Sequence, residues 1–315
     1  MLHKRIIFVF LGIAGFTLTG CNFSPRGDMS NGGKSGTPTS DYAVTPNINL
    51  SDNMVTYGIY PQTVVDNQKL ITNLENKATL DNRNGYYLYQ NNYYACLNAD
   101  PYRDYYTFDN GRVINSGQKY WFKCEPIVWK VLSNSNNREC FVLSNKLLDV
   151  HAYSDALYAR YIDDQSIYPN NYKYSDIRSW LNDYFYNSAF ALGNTAIQTT
   201  TVDNTSYVKA DFACENTLDK VFLPSAHEYF DESYGFDSIE SNSNVSRYCE
   251  TTDWARAKGA ELTSQTGDYA NMGDYWTRSP YDHGDEVRCI SYGGFFSDTV
   301  RREHYCVRPA LTLYI

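Results

Sequence analysis

The sequence predicts an α+β domain, with helices inserted among twisted antiparallel strands, and three observations predict it. Segments rich in aromatic and β-branched residues, separated by Asn, Asp and Gly, fill much of residues 54–149. One stretch, residues 175–190, switches to the period of a helix. Strand-type segments then return from Asp274 onward, so helices interrupt a strand-rich chain instead of alternating with strands one for one.

Ahead of the domain, "MLHKR" is followed by the apolar run "IIFVFLGIAGF" and by "TLTGC". The run is much shorter than the roughly 20 residues that span a bilayer, which makes residues 1–20 an expected export signal and not a membrane helix. Its end resembles a bacterial lipobox, in which small residues precede an acylated cysteine. The resemblance implies lipidation of Cys21 and attachment to a membrane of the cell envelope, outside the cytoplasm. Residues 21–50 are rich in Gly, Ser, Pro, Thr and Asn and read as a flexible tether. They contain Arg26-Gly27-Asp28, a tripeptide displayed by many integrin ligands and short enough to arise by chance. Residues 51–315 are then expected to form one extracytoplasmic domain.

The net charge of −9 becomes −11 once Lys4 and Arg5 are removed with the signal, since residues 1–20 contain no acid. A chain this acidic repels phosphate backbones, which argues against nucleic acid as a partner. Thirty tyrosines stand against four methionines. Tyrosine joins an apolar ring to a polar tip and suits half-wet binding surfaces, although substitution for Phe or Leu in a core explains the excess equally well.

The eight cysteines, at 21, 96, 124, 140, 214, 249, 289 and 306, never fall within fifteen residues of one another, which excludes CxxC motifs and paired zinc ligands. With Cys21 lipidated, seven remain for at most three disulfides. Cys289 with Cys306 is the first candidate pair, because "SYGGFF" between them reads as a turn; Cys96 with Cys124 and Cys214 with Cys249 are the others.

In order, "MVTYGIYPQ", "GYYLYQNNYYACL", "KYWFKCEPIVWKVLS" and "ECFVLSNKLLD" read as strands, and "SNSNNRE" as a hairpin connection that sets Trp129 and Val131 against Phe141 and Leu143. Ile177, Trp180, Leu181, Tyr184 and Phe185 follow amphipathic helical spacing behind a Ser175 N-cap. "DKVFLPSAHEYF" reads as a short buried strand running into a helix start, with Ser225 and Glu228 in capping-box spacing. "TTDWARAKGA" reads as a short helix closed by Gly259. "DYWTRSP", "EVRCISYGG" and "YCVRPALTLYI" complete the strands.

Seven of these pieces, "YGIYPQ", "EPIVWKVL", "SDIRSWLNDYFYNSAF", "TLDKVFLPSAHE", "TDWARAKGA", "YWTRSP" and "VRPAL", in this order over residues 55–315, resemble an uncharacterised family of bacterial extracytoplasmic domains. Thr277 and Pro224 stand where that family usually has leucine. Its Trp-x-Arg-Ser-Pro and Val-Arg-Pro segments are distantly similar to the C-type-lectin-like core shared with formylglycine-generating enzymes. The resemblance implies a C-type-lectin-like arrangement and no particular activity.

Arg278 with Trp276, and Arg308 with Cys306, share a side under strict alternation. Arg278 is either a ligand-facing guanidinium or an internal partner of an acid such as Asp176, Asp253 or Glu228. In the loop "YDHGDE", Asp282, Asp285 and Glu286 offer the oxygens that calcium takes, with His283 between them, or are merely solvated. No Trp-Asn-Asp segment accompanies them, and no metal or cofactor motif is present. Ser225 and His227 are too close in sequence to converge simply on one bond, and HExxH, GxSxG and phosphate loops are absent. The expected function is a membrane-anchored, non-catalytic binding or adhesion module for glycan or extracellular protein. The alternatives are an enzyme acting on envelope or extracellular material through His227, His283 or Asp282, and a purely structural envelope lipoprotein.

Overall fold

The computed structural model describes residues 44–49, 52–135, 138–206, 208–238, 244–264 and 266–315. These residues all belong to one compact unit, Gly36–Ile315. The export signal, Cys21, Arg26-Gly27-Asp28 and the tether up to residue 43 lie outside the described residues. Strand accounts for 38% and helix for 18%, so sheets carry the core, and the α+β expectation holds in its coarse form of curled antiparallel sheets with a few short helices.

The first sheet contains β1 (Asn47–Asn49), β2 (Met54–Val64), β3 (Thr79–Asp81), β4 (Tyr86–Tyr89), β5 (Asn92–Asn98), β6 (Lys119–Asn134) and β7 (Glu139–Ser144). A helix, α1 (Gln68–Lys77), lies between β2 and β3 in the chain. The path runs β1-β2-β6-β5-β4-β3, all antiparallel, and β6 pairs with β7 as well. The sheet branches because β6 is sixteen residues long: β5 pairs with its first part and β7 with its last. Pro126 falls in the gap between the two, where its missing N–H costs no ladder bond. On the other side, β2 bulges around Gly58, whose φ is +73° and where a Cβ would lie 2.5 Å from the Phe190 ring.

Next along the chain come β8 (Asp149–Val150), the hairpin β9 (Arg160–Ile162) and β10 (Gln165–Ile167), and the pair β11 (Thr200–Val202) and β12 (Thr217–Asp219). They are followed by β13 (Tyr275–Pro280), β14 (Glu286–Ser291), β15 (Gly294–Thr299), β16 (Cys306–Val307) and β17 (Ala310–Tyr314). The second sheet runs β15-β14-β13-β16-β8, with β13 and β16 parallel. All six residues of β13 are buried. β17 leaves this sheet and pairs with β7, which ties the segment to the first sheet.

The expected helix forms as α2 (Asp176–Trp180), a π turn over Leu181–Phe185, and α3 (Tyr186–Ala189). The Ser175 hydroxyl caps it by accepting from the Arg178 amide, and Ile177, Leu181 and Phe185 are buried. The short helix α4 (Asp253–Ala257) is capped by Thr252 and followed by Gly259 at φ +103°. Among the described residues, no helix is long and apolar enough to cross a membrane.

Two expectations need correction. In the β6–β7 hairpin, Trp129 pairs with Ser144 and Val131 with Val142, one residue off the expected facing of Phe141 and Leu143, because a bulge follows Val131. The seven described cysteines are all free thiols. The "SYGGFF" turn, with Tyr292 and Gly293 at φ 50° and 66°, joins β14 to β15 and sets Cys289 opposite Phe296. Cys306 lies on β16, across the whole width of β13, and two strand spacings are roughly 9–10 Å. A disulfide needs Cα atoms within about 7 Å. Cys96 is opposite Trp121, while Cys124 is three residues further along β6, so the two thiols face opposite sides of the sheet. Cys214 packs near the backbone of Tyr172 and Lys173, and Cys249 next to the Asn145 carbonyl, so they occupy separate surroundings.

Candidate functional site

The Trp-x-Arg-Ser-Pro strand meets the Pro224–Glu228 turn through hydrogen bonds that start from the main chain. The Arg278 amide donates to the Pro224 carbonyl at 3.0 Å, and the Ala226 amide donates to the Ser279 hydroxyl at 2.9 Å. Ser225 and Glu228 form the expected capping box: the Ser225 amide donates to Glu228 Oε2 at 2.7 Å and the Glu228 amide to Ser225 Oγ at 3.1 Å. The box opens only a single 3₁₀ turn, Glu228–Phe230. It fixes the Glu228 carboxylate beneath the guanidinium of Arg278, whose Nη1 lies 2.5 Å from Glu228 Oε2. Arg278 is 5% exposed and also donates to the carbonyls of Leu223 at 2.8 Å and Asp203 at 3.0 and 3.2 Å. Burial alone disfavours its charge, but Glu228 more than offsets this, and the net direction is upward.

Above this pair opens a cavity of about 230 Å³. Phe141 and Phe222 stack at 5.8 Å on one wall, Tyr234 meets Phe141 edge-on at 5.4 Å, and β11 closes the other side. A smaller hollow of about 50 Å³, lined by His227, Phe230, Pro280 and Arg288, flanks the same turn. The cavity is thus polar at its base and aromatic on its walls, the pattern of sites where apolar area supplies contact and a few polar groups set orientation. Arg278 belongs to it, but with its donors already turned to protein acceptors it serves the floor more than it offers an open anion grip.

The other proposed ligand residues lie elsewhere. Trp276 is fully buried: its indole N–H donates to the His151 carbonyl at 2.9 Å, and its ring packs against Tyr305 at 4.6 Å and Tyr153 at 5.8 Å. β13 is irregular between Trp276 and Pro280, so simple alternation does not carry Trp276 and Arg278 into one site. Arg308 is also internal, donating to the Ser144 carbonyl and to the Tyr275 hydroxyl. In the 281–286 loop, Asp282, His283 and Asp285 are exposed. Asn170 pins the loop by donating to the carbonyls of His283 and Glu286, and Glu286 accepts from the Ser297 hydroxyl at 3.2 Å. Among the described residues, no group of three or more His, Cys, Asp or Glu side chains is placed to hold a metal ion.

Tyr234 and Phe141 were not legible as site residues. Tyr234 ends a 3₁₀ turn, Glu232–Tyr234, with no motif around it, and Phe141 carries the pattern of a core strand; only the fold brings them to Arg278.

No curated protein and no solved structure matches the chain. A family model described as a domain of unknown function (DUF6273) matches residues 137–315, the stretch that supplies β17, the Trp-x-Arg-Ser-Pro strand and every residue named in the cavity. Since the match covers more than half of the chain and follows its strands through to the closing one, this protein belongs to the DUF6273 family.

Proposed function

We propose that the chain is a lipid-anchored extracytoplasmic binding module, with a C-type-lectin-like arrangement of its strands, that takes glycan or protein ligands in the cavity above Arg278 and Glu228. The observation that carries this is the aromatic enclosure of Phe141, Phe222 and Tyr234 over a fixed ion pair. At about 230 Å³ the cavity is below the ~300–1,000 Å³ of drug-sized sites, which suits one sugar ring or one peptide side chain. The lipobox and tether support anchoring through Cys21. The lectin-like arrangement draws support from the central place of the Trp-x-Arg-Ser-Pro strand and from the return of the Val-Arg-Pro-Ala-Leu strand to the earlier sheet. The acidic 281–286 loop leaves calcium open as an accessory, with no role in the cavity itself.

The test is a glycan and extracellular-matrix array probed with residues 45–315, in calcium and in chelator, alongside Tyr234→Ala. The expected result is selective binding that falls at least tenfold in the variant. Silence on every spot, or binding indifferent to the substitution, would defeat the cavity as the site.

A further inference from the structure

The helix of residues 175–190 leaves two aromatic rings only partly covered. Trp180 is half-buried and Tyr184 is 38% exposed, and the rings stack at 6.1 Å with 26° between their planes. The His151 ring lies 5.2 Å from Trp180, tilted by 40° to it. Tyr184 lies in the π turn and Trp180 just before it, and such distortions of helices are frequent at functional sites.

Polar groups surround these rings. His151 Nδ1 lies 2.6 Å from the Ala152 carbonyl, which puts the ring proton on Nδ1 and leaves Nε2 as an acceptor with no partner among the described residues. Burial pushes the imidazole down, with lesser effects from Ala152, Lys258, Asp149 and Asp155, so the ring is neutral near pH 7. The Trp180 indole N–H likewise has no partner among the described residues and is not sealed from solvent. Lys258 Nζ sits 2.5 Å from Asp149 Oδ1 and is about a third exposed. Asp149 is buried and held by the Tyr60 hydroxyl and the Trp254 indole N–H, so the ammonium is fixed in place with donors to spare.

We propose that Trp180, Tyr184, His151 and Lys258 form a carbohydrate-stacking site that takes one pyranose ring. A pyranose has an apolar C–H face, which matches the aromatic stack, and a rim of hydroxyls that both donate and accept. His151 Nε2 accepts from one such hydroxyl, and the Trp180 N–H and Lys258 donate to others. The base of a nucleotide would stack as well, but the phosphate attached to it meets a chain of net charge −9. The proposal rests on the reading of the chain as a binding module, though on residues separate from the cavity.

The test is isothermal titration of the whole chain with maltohexaose, cellohexaose and chitohexaose, using the native protein, Trp180→Ala, Tyr184→Ser and Tyr234→Ala. The expected result is that at least one oligosaccharide binds, at least tenfold more weakly in Trp180→Ala and at least threefold more weakly in Tyr184→Ser, while Tyr234→Ala reports separately on the cavity. Tyr184→Ser covers the case in which loss of Trp180 disturbs folding, because Tyr184 is the more exposed ring. Binding lost only in Tyr234→Ala overturns this site and leaves the cavity standing. Binding unchanged in Trp180→Ala and Tyr184→Ser, or no binding of any of the three sugars, overturns it too, and the array then judges the cavity by itself.

Discussion

At the residue scale, buried charge is the feature that local sequence reports least well. Asp274 is 6% exposed, accepts from the Thr263 hydroxyl at 2.7 Å, and is pushed by burial to about 6 from an ordinary 3.8. A carboxyl raised in the folded state contributes stability that is fully present below its unfolded pKa and is lost as pH climbs through about 6. The shift corresponds to an order of 3 kcal/mol at most. Asp274→Asn cannot ionise, so its stability relative to the native chain should rise by about 1–3 kcal/mol between pH 4.5 and 7. Urea unfolding at the two pH values checks this, and an equal difference at both would refute it. Arg278 illustrates the limit of sequence reading at this scale. Pairing with an internal acid was one of two readings open from sequence, but only the turn that delivers Glu228 to the guanidinium selects among three candidate acids. Asp253 pairs instead with Arg256, and Asp176 accepts from the Asp155 amide.

At the element scale, periodicity and capping were legible and pairing was not. Ser175, Ile177, Leu181 and Phe185 sit where helical spacing puts them, because burial of one face dictates both the pattern and the helix. The π turn carries no such signature, since its extra residue per turn barely changes which positions are apolar. Ser175→Ala removes the cap on this helix and also leaves the Tyr172 carbonyl without the hydroxyl that donates to it at 2.9 Å. The expected cost is about 1–2 kcal/mol, read as a lower urea midpoint at unchanged slope. A loss below about 0.3 kcal/mol would mean that packing of Ile177 and Leu181 alone sets the helix start. Strand register was illegible for a related reason. The bulge after Val131 shifts the β6–β7 facing by one residue, and nothing local in "KVLSNS" announces it.

At the scale of the whole molecule, the strands could be found one by one from composition, while their order in two sheets could not, because pairing depends on contacts distant in the chain. The cysteines show the consequence: turn geometry near 291–294 suggested a bridge that the width of β13 prevents. Five of the seven described cysteines are buried, and burial pushes Cys124 and Cys306 well up, so these thiols stay protonated and unreactive in the folded chain. Denaturation with an alkylating agent and no reductant should therefore add at least seven groups per chain by intact mass. Reductant should leave stability unchanged, whereas removing a native disulfide costs about 2–5 kcal/mol; fewer than seven groups would show that a bridge forms after all. The return of β17 to β7 has a bearing on how such a molecule is made. Leu311 and Leu313 are fully buried, and the Ala310 amide and carbonyl bond to Phe222. A growing chain that has reached only Pro309 has every earlier strand and still cannot seal its core. Until residues 310–314 are added, β7 lacks its partner on that side and the side chains of Leu311 and Leu313 are missing from the core.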